Sequence, residues 1–315
     1  MMEAQGEKIR EVARRLLEQD RVDVVIGFEK GSLPLRASPV FVRTVAETHR
    51  LIWDCFCENN LARYLTSIDD HRVAIVAKGC DSRAIVALMA ERQIPRERLT
   101  VIGVPCQRMV DRRKAAAAVH GEILAARCQE SNLDVEGRDF RRTLPRDAFL
   151  YLSCRLCTHR NPVIHDVLIG DPVEESALDE PPSLRLESCS DHERWVVFSQ
   201  TVSSCIRCFA CRQACPMCYC QACVVDGTTP PWIGRGTDPS DIQMWHIVRA
   251  FHMAGRCVAC GACERACPME IDLFTMLEKL NRDVKELFDF EAGISTDTTP
   301  PLGTHDPDDP GDFIL

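Results

Sequence analysis

Apolar residues Ile9, Val12, Leu16 and Leu17 recur at helical spacing near the start of the chain, with charged residues between them. They predict an amphipathic first helix. VDVVIGF at 22–28 is a short apolar run with strand character, and HRVAIVAK at 71–78 and LTVIGVP at 99–105 are richer in Val and Ile and predict two further strands. GCDSRAIVALMAERQ follows the second strand as a helix, with Asp81 or Ser82 able to cap it. QRMVDRRKAAAAVHGEILAARC after the third strand also reads as helical. The alternation of strand and helix predicts an open α/β sheet around residues 20–125.

The pattern changes in the second half. DPVEESALDEPPS at 171–183 is acidic and Pro-rich and predicts a linker or exposed loop. Ser190 and Glu193 have capping-box spacing, so a helix should run from there through WVVFSQ. Further helices are expected over IQMWHIVRAFHMAG, closed by Gly255, and over IDLFTMLEKLNRDVKELF. The expected fold class is α/β (or α+β) in the N-terminal part and mainly helical in the C-terminal part. The expected division is 1–183, 184–290 and an extended acidic, Pro-rich tail at 291–315, which could be free or could dock a partner.

A net charge of −9 argues against a nucleic-acid partner, because phosphate neutralisation needs a basic surface. No apolar run approaches the length of a membrane span, and the N-terminus lacks a signal-peptide core, so a cytoplasmic protein is expected. Nineteen cysteines without an export signal point to thiolates held by metal in a reducing compartment rather than to a disulfide framework. Cys55, Cys57, Cys128 and Cys189 stand outside any motif.

Cys205, Cys208, Cys211 and Cys215 form C-x2-C-x2-C-x3-C followed by proline, and Cys257, Cys260, Cys263 and Cys267 repeat it. Three closely spaced thiolates can wrap one corner of a cubane, while the fourth serves the other cluster. One [4Fe-4S] cluster is therefore expected on Cys205, Cys208, Cys211 and Cys267, and a second on Cys257, Cys260, Cys263 and Cys215. Zinc sites usually draw ligands from two pairs, which this run does not supply. A whole helix separates the motifs, a layout that resembles the α-helical ferredoxin domain of succinate dehydrogenase and heterodisulfide reductase subunits. Arg207, Arg212, Arg256 and Arg265 lie beside the ligands in sequence. They could offset cluster charge, with at least half of them expected to be solvated surface residues.

In the first half, Cys80 and Cys106 each follow a strand, and Cys154 and Cys157 make a C-x2-C pair. Strand ends are where open sheets gather ligands. Taken alone, Cys80 and Cys106 would read as small buried hydrophobes, and the pair would suit zinc as well as iron. His159 and His165 nearby read as surface or supporting residues. No Ser–His–Asp arrangement, Walker-type loop or full G-x-G-x-x-G is present.

Residues 20–175 resemble the beta-subunit family of coenzyme F420-reducing hydrogenases and F420-linked formate dehydrogenases. The likeness is carried by K-G-Cys80, P-Cys106, and Cys154/Cys157 followed by Asp166 and Gly170, with Gly79 where the family usually has proline. The family's common N-terminal ferredoxin segment is missing, and the two-cluster module lies at the C-terminus instead. The resemblance implies a third [4Fe-4S] cluster on Cys80, Cys106, Cys154 and Cys157, next to FAD. It also implies partners of the formate dehydrogenase, hydrogenase or heterodisulfide reductase-like kind.

Cys218, Cys220 and Cys223 are left over. They could hold an additional metal cluster with a fourth ligand such as Cys189 or Cys57, offer an alternative fourth ligand for the first cluster, or simply pack beside it. The expected role is an iron–sulfur electron-transfer subunit of an anaerobic redox complex rather than an independent catalyst. The alternative is a stand-alone flavin-dependent reductase of a deazaflavin or another small acceptor.

Overall fold

The computed structural model describes residues 2–68, 71–227 and 229–303. Helix α1 (Met2–Glu18) buries Ile9, Val12 and Leu16, the stripe its periodicity marks. It leads into β1 (Val24–Lys30), whose first five residues are buried, and then β2 (Ala37–Val42). Next come β3 (Val73–Ala77), α2 (Gly79–Ala90) and β4 (Leu99–Gly103). These strands and the short β8 (Val167–Leu168) form one sheet in the order β2-β1-β3-β4-β8. β1, β3, β4 and β8 run parallel, and β2 closes one edge antiparallel to β1. The unbroken apolar stretch of β3 is that of a strand covered on both faces. Because β3 and β4 are parallel and in register from Val73↔Leu99 to Ala77↔Gly103, their exits lie at the same end of the sheet. Cys80 and Cys106 leave from that end.

Two local expectations change. Neither Asp81 nor Ser82 is the N-cap of α2. Lys78 takes that place, and Asp81 reaches back from the first turn to accept the Lys78 backbone N–H at 2.9 Å. The stretch 107–128 is not one helix. Only α3 (Arg112–Ala117) is helical, and β5 (Ile123–Cys128), β6 (Asn132–Gly137) and β7 (Arg141–Pro145) form a separate antiparallel sheet. Alanine-rich sequence favours helix, but pairing to β6 and burial of Leu133 and Val135 override that preference. Cys128 at the end of β5 is disulfide-bonded to Cys55, with 6.0 Å between their Cα atoms. That pair departs from the expectation that the thiols are reserved for metal, and it ties the small sheet to the segment between β2 and β3.

After α4 (Leu152–Arg155) and β8 (Val167–Leu168) the chain becomes helical. The segment 171–183 is irregular, as its composition suggests. It is nonetheless fastened: Arg155 and Asp179 pair, and Ser183 is fully buried. A short α5 (Leu184–Glu187) precedes α6 (Asp191–Val202), which begins with the Ser190–Glu193 capping box. Then follow α7 (Ala210–Ala214), α8 (Pro239–His252), α9 (Ala262–Arg265) and α10 (Leu273–Phe288), the last capped by Asp272. The mixed α/β first half and helical second half agree with the sequence reading.

One buried core runs from Ile9 in α1 to Leu277 in α10, with Cys211, Cys263 and Cys267 inside it. Arginines stitch the halves together. Arg256 holds Glu91 at 2.5 and 2.7 Å, Arg113 donates to the Cys267 carbonyl at 2.9 Å, and Arg265 donates to the Glu58 carbonyl at 2.7 Å. The beginning of the tail is seated as well, since Arg83 donates twice to the Ala292 carbonyl. Residues 304–315, where the rest of the tail expectation falls, lie outside the described residues.

Candidate functional site: converging thiols

Cys80 occupies the second position of α2, Cys106 follows β4, and Cys154 and Cys157 lie in and just after α4. All four line one cavity of about 310 Å3, which Cys257 and Cys260 of the second motif also enter. Gly79 explains part of the convergence. A Cβ there would stand 2.0 Å from the His159 carbonyl oxygen, so the loop carrying Cys157 approaches α2 only because residue 79 has no side chain. This is the position where the resembled family usually has proline.

Lys78 is buried at the floor of this cavity. Its ammonium meets Asp81 Oδ2 at 2.8 Å and the Asn59 carbonyl at 2.8 Å, and it lies 4.8 Å from the Phe28 ring centre. Burial opposes its charge, but Asp81 and then Cys80 more than offset that, so the amine titrates above its ordinary value. The thiols respond the other way. Burial, followed by Cys154, pushes Cys106 up to about 12. Burial, followed by Asp81, also raises Cys80 well above its usual value, and burial followed by Cys154 raises Cys157. Four crowded thiols in an apolar setting become thiolates when a cationic centre binds them.

The two C-terminal motifs share a backbone device. In each, the residue before the second cysteine and the residue after it adopt left-handed conformation: Arg207 (φ 51°) and Phe209 (φ 59°), then Ala259 (φ 53°) and Gly261 (φ 70°). Three of the four are not glycine, and such residues enter this region at a cost of about 1–2 kcal/mol each. In the first motif this winding gathers Cys205, Cys208 and Cys211 onto one cavity.

α7 packs on α9, so the fourth cysteine of each motif crosses to the other. Cys205, Cys208, Cys211 and Cys267 line one narrow cavity. The set formed by Cys257, Cys260 and Cys263 lies within electrostatic reach of Cys215, which contributes to the raised values of all three. Burial comes first in each case and lifts Cys257 to about 12 and Cys260 to about 11. Cys211 of the first set feels Cys263 of the second, so the two sets are neighbours. Cys208 is exposed and opens the first set to the surface.

Buried polar atoms without partners gather around the same thiols. Among the described residues these include Arg207 Nε, both ring nitrogens of His246, and Arg249 Nε and Nη1. Burial, followed by Arg249, pushes His246 down to about 4, which leaves the ring neutral near pH 7. Orphaned donors facing convergent thiols suit a group that carries negative charge and accepts hydrogen bonds. The donor set therefore fits sulfide-bearing clusters. Among the described residues, no three His, Cys, Asp or Glu side chains come together tightly enough to hold a single metal ion.

Sequence reasoning missed His246 and Arg249. The available signal was positional: both lie on the buried stripe of α8 with Ile242, Trp245 and Ala250. It also misjudged the four flanking arginines, none of which is exposed. Arg207 is 7% exposed and caps carbonyls of Gly234 and Gly236, Arg212 pairs with Asp226, and Arg256 pairs with Glu91.

Cys218, Cys220 and Cys223 line a further small cavity with Arg212, Arg249, His252 and Arg256. Cys218 hydrogen-bonds Cys215. Neither suggested fourth ligand lines that cavity: Cys57 is buried against Asp54, and Cys189 bonds the Arg185 carbonyl. A larger polar cavity of about 450 Å3 lies between β2 and the helices α7 and α9. Arg36, Arg63, Arg112 and Arg265 line it with Asn60 and Tyr64, against the single carboxylate of Glu58, which already pairs with Arg112. Such a cavity suits a polyanionic ligand. It adjoins the first-half thiols, because Asn60 donates to the Cys80 carbonyl at 3.2 Å.

No family model matches the chain. It is similar over 94% of its length to the F420-dependent formate dehydrogenase subunit beta of Methanocaldococcus jannaschii, at 22% identity and covering 94% of that protein. Over 95% of its length it is 23% identical to the F420-dependent formate dehydrogenase 1 subunit beta of Methanococcus maripaludis, covering 93% of it. The resemblance read from the first-half cysteines is borne out by these near-full-length relatives. Among solved structures, it aligns with a chain of the F420-reducing [NiFe] hydrogenase complex from Methanosarcina barkeri at 16% identity and a TM-score of 0.40, over 50% of this chain and 61% of that one. Among the described residues no helix is long and apolar enough to cross a membrane.

Proposed function

We propose that this chain is an iron–sulfur electron-transfer subunit of a multi-subunit oxidoreductase. In this reading Cys205, Cys208, Cys211 and Cys267 hold one [4Fe-4S] cluster, and Cys257, Cys260, Cys263 and Cys215 hold a second. Cys80, Cys106, Cys154 and Cys157 hold a third. The observation that carries it is the chaining of the three sets: Cys211 neighbours Cys263, and Cys257 and Cys260 share a cavity with the first-half four. Such clusters supply one-electron transfer at a potential set by their surroundings.

The protein's own part is to order the sites and exclude water. Left-handed residues in each motif fix the thiols, Gly79 lets the third set close, and burial of Cys106, Cys211, Cys263 and Cys267 keeps solvent out. Exposed Cys208 marks one end of the chain of sites. The arginine-lined cavity adjoins Cys80 and also lies against α7 and α9, and its chemistry fits FAD, with Arg36, Arg63 and Arg112 placed to meet phosphate oxygens and Asn60 and Tyr64 to bond polar edges. The names of the relatives support a formate dehydrogenase or hydrogenase catalytic subunit as partner. A heterodisulfide reductase-like subunit would take the other end.

An anaerobic reductive titration tests this. The isolated chain should take up about three electrons, or about five with FAD bound, and reduced clusters should show magnetic interaction. Uptake of no electrons, with metal present, would make the sites structural and overturn the reading.

The arginine cavity also favours a second reading, a flavin-dependent reductase acting alone on a small anionic acceptor. Turnover of a deazaflavin by the isolated chain would establish it, and its absence in a flavin-loaded chain would exclude it.

A further inference from the structure

Arg249 is a buried arginine of α8. It is 4% exposed, its Nη2 donates to the Cys211 carbonyl at 3.4 Å, its side chain also hydrogen-bonds the Cys263 thiol, and Nε and Nη1 stand among the buried polar atoms without a close partner. Arg212, Arg256 and Arg282, by contrast, each pair with a carboxylate. No described carboxylate pairs with Arg249. A guanidinium stays protonated even when buried, so its counter-charge must come from elsewhere.

The groups that face it identify that counter-charge. Cys211 of the first set, Cys263 and Cys215 of the second, and Cys218 all act on Arg249. Arg249 thus faces cysteines of both sets. Helix α8 holds it there by packing Trp245 and Ala250 on either side of the same stripe. His246, one turn earlier, lines the first set's cavity with both ring nitrogens unpartnered.

We propose that Arg249 is the shared counter-charge of the two C-terminal thiol-held clusters and raises the reduction potentials of both. The proposal rests on the cluster assignment above and adds a residue to it. Adding an electron makes either group one unit more negative, and a fixed cation close to both stabilises that state. In a dry interior the interaction is little screened, so one residue acts on both sites. The same charge ties the two potentials together, because both fall when it is removed.

The test replaces Arg249 and reads cluster potentials by EPR-monitored titration, which does not depend on turnover. Arg249→Met, neutral and of similar length, should make reduction of each C-terminal cluster at least about tenfold less favourable, a drop of about 59 mV per electron. Arg249→Lys should stay within about threefold of the parent at both. Arg194→Gln, on the exposed face of α6, should change neither. If Arg249→Met does not assemble, Arg249→Gln provides the neutral comparison. Unchanged potentials in a neutral variant with full iron content would overturn the proposal, and so would a shift confined to one cluster. A parent protein without cluster signals would instead defeat the cluster assignment itself, so the two failures are distinguishable.

Discussion

Lys78 and Asp81 carry much of what individual residues contribute to the first site. Asp81 is fully buried and accepts from the Lys78 ammonium, the Lys78 backbone and the Leu61 backbone. Removing one member of a buried pair strands the other charge, so Asp81→Asn should cost about 3–5 kcal/mol. Urea unfolding would measure it, and Lys78→Met combined with Asp81→Asn should recover a substantial part. At this scale the cysteines were the legible residues, because their spacing is itself chemistry. Arg249, His246 and Lys78 were not, since a polar residue on an apolar stripe reveals its partners only after the chain has folded around it. The Cys55–Cys128 pair was equally hidden, as 73 residues separate the two.

Elements set the spacing between sites. Parallel β3 and β4 deliver Cys80 and Cys106 to one end of the sheet, and the missing side chain at residue 79 lets the Cys157 loop close over them. Gly79→Ala should therefore lower iron content by about four atoms per chain while leaving the C-terminal clusters intact. Iron analysis with EPR checks this, and an unchanged content would contradict the role given to the close approach. A smaller device joins β1 to β3, where Arg72 clasps Asp23 with 2.6 Å between Nη2 and Oδ1. Hydrogen bonds from Arg72 hold the Asp23 carboxyl at about 2, below its ordinary 3.8. Its contribution is present above about pH 4 and lost as pH falls through about 2, so Asp23→Asn should flatten the acid limb of a stability–pH curve over that window. β3 and β4 were legible because uninterrupted Val and Ile leave few alternatives. β5 to β7 were not, because exposed faces and helix-forming residues at 123–128 mask a pairing decided by tertiary contact.

The whole molecule joins its halves through the thiol sites themselves. Cysteines of the second motif enter the cavity of the first half, and Arg256, Arg113 and Arg265 bind across the junction. Stripping the clusters should loosen both halves together, giving one lowered thermal transition rather than loss of the helical half alone. The change from α/β to helix was legible along the chain, and the seam between them was not, because it depends on arginines whose partners lie far away in sequence. The central claim is that three sets of four cysteines each hold a cluster. Iron and acid-labile sulfide per chain, on protein purified without oxygen, test it most directly. The account predicts about twelve of each, with about four fewer in Cys106→Ser. About eight of each in the parent protein, or zinc in place of iron, would contradict it.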